Sequence, residues 1–136
     1  MTKKVLIVED NELNLRLFQD LLRAHGANVE GVRDARIAVD RIADFHPDLV
    51  IMDIHLPHVS GVELIQRLRA RPELEKIPVM AVTAYAGKGD EARVREAGAD
   101  AYVSKPITVM RFVASVEDLI GPLGDGMNDG LGFARA

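Results

Sequence analysis

A chain of 136 residues that is 48% hydrophobic and 28% charged has the size and balance of one globular domain, which excludes disordered, collagen-like and membrane-embedded classes. The lack of cysteine excludes a disulfide scaffold, a thiolate metal site and a cysteine nucleophile. A formal net charge of −4 argues against nucleic-acid binding as the main role. No apolar run reaches the roughly 20 residues of a membrane span. The apolar stretch after Met1 ends at Glu9-Asp10, too early for a signal peptide, so a cytoplasmic address is expected.

In chain order, the β-branched run Lys4 to Val8 predicts a first strand buried on both faces. Leu17, Phe18, Leu21 and Leu22 form the stripe of a helix from about Leu13 to His25, ended by Gly26. Asn28 to Val32 is a weaker strand. Asp34 caps a second helix carrying Ile37, Val39, Ile42 and Ala43, which closes before Pro47. Leu49 to Met52 is the third strand. Ser60-Gly61-Val62-Glu63 has the form of a capping box and opens a helix with Leu64, Ile65 and Leu68 on its apolar face. Val79 to Val82 is a strand, Asp90 to Ala97 a short polar helix stopped by Gly98, and Ala101 to Val103 the fifth strand. Thr108 caps the last helix, along which Val109, Phe112, Val113, Val116 and Ile120 recur at helical spacing. Strand and helix alternate five times, which predicts an α/β fold with a doubly wound, five-stranded parallel sheet, (βα)5. Residues 1–120 are read as the domain and 121–136, with five glycines, as a flexible tail.

Ligands of open parallel sheets sit beyond the carboxyl ends of the strands. Here those ends carry Glu9-Asp10, Asp53, Thr83 and Ser104-Lys105-Pro106. Each could be a solvated loop polar taken singly, but the set places three carboxylates, a hydroxyl and an ammonium along one sheet edge. Carboxylates packed together repel, and a divalent cation removes the conflict. Oxygen donors without His or Cys favour a hard ion such as Mg²⁺. Such a pocket, with a lysine and a hydroxyl opposite, suits a phosphoryl group. A carboxylate can itself accept phosphate, and Asp53 on the central strand is the best candidate.

These residues make the chain resemble the receiver domain of the two-component response-regulator family, the CheY-like fold. The motifs are Val8-Glu9-Asp10-Asn11, Met52-Asp53-Ile54-His55-Leu56-Pro57 with Gly61 following, Val82-Thr83-Ala84, and Lys105-Pro106, and the likeness runs from residue 3 to about 120. The wording from Thr2 to Asn14 and from Gly87 to Glu91 is similar to single-domain members that regulate cell division and polarity.

The resemblance implies that Asp53 accepts phosphate from a histidine kinase or phosphotransfer protein. It implies that Asp10 binds Mg²⁺ with Glu9 assisting and the backbone carbonyl of His55 completing the site. Thr83 would hydrogen-bond the phosphoryl group and Lys105 neutralise it. Thr83 and Tyr102 would be a switch pair, and the bond before Pro106 would be cis. Output would pass through the face of the fourth helix, fifth strand and fifth helix to a downstream regulatory protein. The expected state is a monomer or a weak, phosphorylation-dependent dimer, recruited to a cell pole by kinase partners. Alternatives are a chemotaxis or phosphorelay regulator, a receiver fragment of a larger regulator and, from another class, a flavodoxin-like cofactor binder.

His55 and Tyr85 follow Asp53 and Thr83 by two residues and are bulky, which predicts slow self-dephosphorylation. Leu13, Leu15 and the flank of the first helix are the expected kinase-docking surface. His25, His46 and His58 are expected at the surface, and Arg67, Arg69 and Arg71 are expected to interact with the C-terminal end of their helix.

Overall fold

The computed structural model describes residues 2–83, 89–104 and 109–123. Five strands, β1 (Lys4–Val8), β2 (Asn28–Val32), β3 (Leu49–Asp53), β4 (Val79–Thr83) and β5 (Ala101–Ser104), alternate with helices α1 (Glu12–Ala24), α2 (Ala38–Phe45), α3 (Gly61–Ala70), α4 (Asp90–Ala97) and α5 (Val109–Ile120). The strands form one parallel sheet in the order β2-β1-β3-β4-β5. The order reverses direction between β1 and β3, and a doubly wound sheet opens its ligand crevice at that point.

Side chains alternate along each strand, so the sheet carries two cores. Leu6, Val8, Val50, Met52, Val79 and Ala81 pack on one face with α2, α3 and α4 residues such as Ile42, Leu64 and Val94. Val5, Ile7, Leu49, Ile51, Met80 and Val82 pack on the other beneath α1 and α5. There Phe18 and Phe112 stack with ring centres 4.9 Å apart, joining the two helices. The packed chain reaches Leu123, which is buried and whose carbonyl accepts from the Lys3 N–H at 2.8 Å. The rest of the segment read as a tail, 124–136, lies outside the described residues.

Several local expectations change. On α1 the buried positions are Leu15, Phe18 and Leu22, whereas Leu17 is 57% exposed. The leucine-rich stretch offers two overlapping stripes, and contact with α5 selects the one through Phe18. Leu15 is therefore a core residue, and Leu13 and Leu17 are the exposed leucines of that flank. Ile37 belongs to a 3₁₀ turn (Ala35–Ile37) and is exposed, because the Asp34 carboxylate accepts from the Arg36 N–H at 2.9 Å and tightens the chain there before α2 begins. Half of the capping box forms: Ser60 Oγ accepts from the Glu63 N–H at 3.2 Å, while the Glu63 carboxylate pairs with Arg67 one turn on.

The three arginines at the C-terminal end of α3, Arg67 and Arg69 within it and Arg71 just beyond, have different tasks. Arg67 and Arg71 pair with Glu63 and Glu73. Arg69 donates to the carbonyls of Glu75, Ile77 and Gly98 and to the Asp100 carboxylate, which itself accepts from the Val79 N–H. It thus ties the end of α3 to the start of β4 and the α4–β5 turn, and satisfies carbonyls that a buried loop would leave without partners.

Candidate functional site

The register Val8↔Met52 between β1 and β3 sets the next residue of each strand, Glu9 and Asp53, side by side at the crevice. Asp10 follows. One carboxylate oxygen from each of Glu9, Asp10 and Asp53 lies within 4.8 Å of the others. Glu9 is 2% and Asp53 9% exposed. Backbone N–H groups hold both buried carboxylates: Glu9 Oε2 accepts from Asn11 at 3.3 Å and Asp53 Oδ1 from His55 at 2.9 Å. The three carboxylates stand close enough to act on one another, with oxygens within 4.8 Å. At such separations two like charges repel by roughly 3 kcal/mol at an effective dielectric of 20. Three hard oxygen donors converging on a point open to water on the Asp10 side make a fitting seat for a divalent cation.

The local sequence explains the convergence. Asn11 ends the extended chain after β1, its side chain capping α1 by accepting from the Asn14 N–H at 2.9 Å, so Glu9 and Asp10 are held between a strand end and a helix start. The Asn11 cap is absent from the expectations above, where that residue was assigned to the acidic motif; the signal was an Asn one residue before a helical stripe. On the Asp53 side, α3 begins almost in contact with the strand end. The Gly61 N–H donates to the Ile54 carbonyl at 3.1 Å, and a Cβ on Gly61 would lie 2.5 Å from Ile54 Cα.

Thr83 ends β4 and is fully buried. The pairings Ala81↔Tyr102 and Thr83↔Ser104 place Thr83 and Tyr102 on one face of the sheet, on neighbouring strands. Tyr102 is half-buried against the α2–α4 core, and its hydroxyl is buried with no hydrogen-bond partner among the described residues. Burial, followed by the nearby Asp90 and Glu91 charges, pushes its phenol above the usual value. A buried hydroxyl without a partner costs stability, so Tyr102→Phe should be neutral or stabilising by up to about 1 kcal/mol. A clear fall in melting temperature would show that the hydroxyl is bonded in solution.

His55 is exposed beside Asp53, and His46 and His58 are exposed as expected. His25 is half-buried, its ring bonded to the Leu21 carbonyl at 3.0 Å. Tyr85, Lys105 and Pro106 lie outside the described residues. The Arg33 guanidinium stands 3.5 Å from the Asp10 carbonyl and 3.8 Å from the Glu12 carboxylate. It borders a cavity of about 230 Å³, shared with Asp10, Asp34, Arg36, Pro57 and His58. No helix among the described residues is long and apolar enough to cross a membrane.

A sheet of order 2-1-3-4-5 with an acidic trio at its switch point defines a class, and the family comparison agrees. The response regulator receiver domain model matches residues 5–117, and the chain belongs to that family. It is therefore a signalling module rather than a metabolic enzyme, which sets aside the flavodoxin-like cofactor reading. Among its relatives is the polar-differentiation response regulator DivK of Brucella ovis, 51% identical over 121 residues, which cover 89% of this chain and 98% of DivK. The receiver domain of the sensor histidine kinase PA1611 from Pseudomonas aeruginosa, solved with a magnesium ion coordinated in its active-site cleft, is 30% identical with a TM-score of 0.82, over 89% of this chain and 99% of that one. The chemotaxis protein CheY4 of Vibrio cholerae shares the fold, with a TM-score of 0.83 at 21% identity over 88% and 99% of the two chains.

Proposed function

We propose that this receiver accepts a phosphoryl group on Asp53 from a histidine kinase or phosphotransfer protein and, so modified, changes its binding to a downstream regulatory protein. The observation that carries the reading is the meeting of Glu9, Asp10 and Asp53 at the switch point of the sheet. Asp10 and Asp53 would hold Mg²⁺, with Glu9 and the His55 carbonyl completing the site. Bound there, the ion supplies charge neutralisation for an incoming dianionic phosphate.

Asp53 is the acceptor because it is the one carboxylate on the central strand, held by the His55 N–H so that its other oxygen can face the phosphorus. Thr83 and Lys105 would take phosphoryl oxygens. The modification adds about −1.5 to −2 charge and three acceptor oxygens at the buried end of β3. Drawing Thr83 toward them opens room on the face it shares with Tyr102, and the ring's inward movement alters the surface of α4, β5 and α5. Polarity and cell-division control is the favoured setting, because the DivK relatives match nearly end to end. In that setting the protein would work in the cytoplasm, drawn to a cell pole by its kinase.

Incubation with Mg²⁺ and acetyl phosphate should add one phosphoryl mass to the wild type and none to Asp53→Asn. No gain in the wild type, or an equal gain in the variant, overturns the proposal. Followed after the donor is removed, the added mass should decay slowly, and faster in His55→Asn, whose smaller side chain leaves more room for the attacking water and carries an amide to orient it.

A further inference from the structure

The cavity beside Asp10 is bounded by three loops that follow β1, β2 and β3, so it opens on the same sheet end as the acidic trio and shares a residue with it. At about 230 Å³ it suits a ligand smaller than a drug-sized molecule. Its wall holds two guanidinium groups in different states. Arg36 grips Asp34 with two side-chain bonds of 3.0 and 2.9 Å, and that partner's carboxyl is held down at about 2 by the pairing. Arg33 is loosely held: its carbonyl contact is at the limit of a hydrogen bond, and Glu12, 64% exposed, is a distant and screened partner. Arg33 is therefore the cation that can turn to a ligand at low cost.

We infer that Arg33 recognises the leaving group of a small acyl phosphate seated in this cavity, and so selects the phosphodonor for the transfer proposed above, on which the inference rests. In that transfer the bond from phosphorus to the acyl oxygen breaks and its electron pair departs on a carboxylate. An Asp53 carboxylate oxygen forms the new bond to phosphorus, and no proton moves. Negative charge grows on the departing carboxylate as the reaction advances, and a planar guanidinium matches a carboxylate in charge and shape. The contribution therefore falls on the transition state more than on the bound donor. A donor whose leaving group departs neutral gains nothing from Arg33.

Acetyl phosphate and phosphoimidazole separate the two cases, since acetate leaves as an anion and imidazole as a neutral ring. With Mg²⁺ saturating, Arg33→Gln should lose about tenfold in kcat/KM with acetyl phosphate, the effect of removing one charged hydrogen bond. It should lose less than about twofold with phosphoimidazole, and Arg33→Lys should recover part of the loss. An equal loss with both donors would mean that Arg33 acts on the fold or the acidic trio, and no loss with acetyl phosphate would mean that it touches no donor; either overturns the inference. A wild type that takes phosphate from neither donor overturns the phospho-acceptor reading itself, and the inference with it.

Discussion

Asp10→Asn is expected to raise the melting temperature of the protein in the presence of a chelator and to erase the rise that Mg²⁺ produces in the wild type. The two effects have one cause. With carboxylate oxygens of Glu9, Asp10 and Asp53 within 4.8 Å of one another and two of the three side chains buried, the metal-free fold carries a repulsion that the unfolded chain relieves. Asp10 is the most solvated of the trio, so screening reduces what its removal returns to about 1 kcal/mol, or roughly 3–5 °C for a domain of this size. With cation present the sign reverses. A ligand at 100 times its dissociation constant stabilises the native state by about 2.7 kcal/mol. Losing one of its few charged oxygen donors should weaken Mg²⁺ by at least about tenfold. Thermal unfolding with chelator and with Mg²⁺ reads both effects. A variant that is less stable than wild type without metal, or that Mg²⁺ still stabilises fully, would remove the electrostatic account of the trio.

The same trio marks what is legible in a sequence of this kind. Strand ends are legible because fully buried parallel strands are continuous apolar runs, so the first acidic residue after Val5-Leu6-Ile7-Val8 or Leu49-Val50-Ile51-Met52 identifies the edge where ligands bind. The closeness of Glu9, Asp10 and Asp53 then follows from β1 and β3 being neighbours. Helix faces are less legible. Leu13, Leu15, Leu17, Leu21 and Leu22 satisfy more than one stripe, and what excludes Leu17 is the Phe18–Phe112 stack, a contact between opposite ends of the chain. Arg69 shows the same limit for charge. It alternates with Arg67 and Arg71 in sequence, yet it alone reaches 29 residues along the chain to the Gly98 carbonyl. Nor does spacing reveal that the Tyr102 hydroxyl lies buried beside α4, because its position depends on the pairing of β5 with β4 and on the packing above it.

Gly61→Val is expected to be among the most destabilising single changes outside the core, and to damage the acidic site with the fold. Gly61 has no left-handed backbone to protect, so its conformation alone would accept a side chain; what forbids one is space. The added Cβ would stand 2.5 Å from Ile54 Cα and 3.1 Å from the Asp53 carbonyl oxygen. Both are backbone atoms of the segment that ends β3, so no rotamer change relieves the overlap. Helix α3 must retreat, breaking the 3.1 Å bond from the Gly61 N–H to the Ile54 carbonyl, or the strand end must bend. Overpacking of this kind costs about 2–4 kcal/mol, or roughly 6–15 °C in melting temperature here. Gly89→Ala is the comparison that separates space from conformation. Its φ of +86° disfavours a side chain, but nothing lies within 4 Å of its Cβ position, so only the backbone penalty of about 1 kcal/mol applies. Because the displaced atoms include the Asp53 carbonyl, Gly61→Val should also weaken Mg²⁺ binding in whatever fraction remains folded, whereas Gly89→Ala should leave it unchanged. Calorimetry of the two variants, with and without Mg²⁺, tests both halves, and equal melting temperatures for the pair would refute the claim that α3 must touch the end of β3 to hold Asp53 in place.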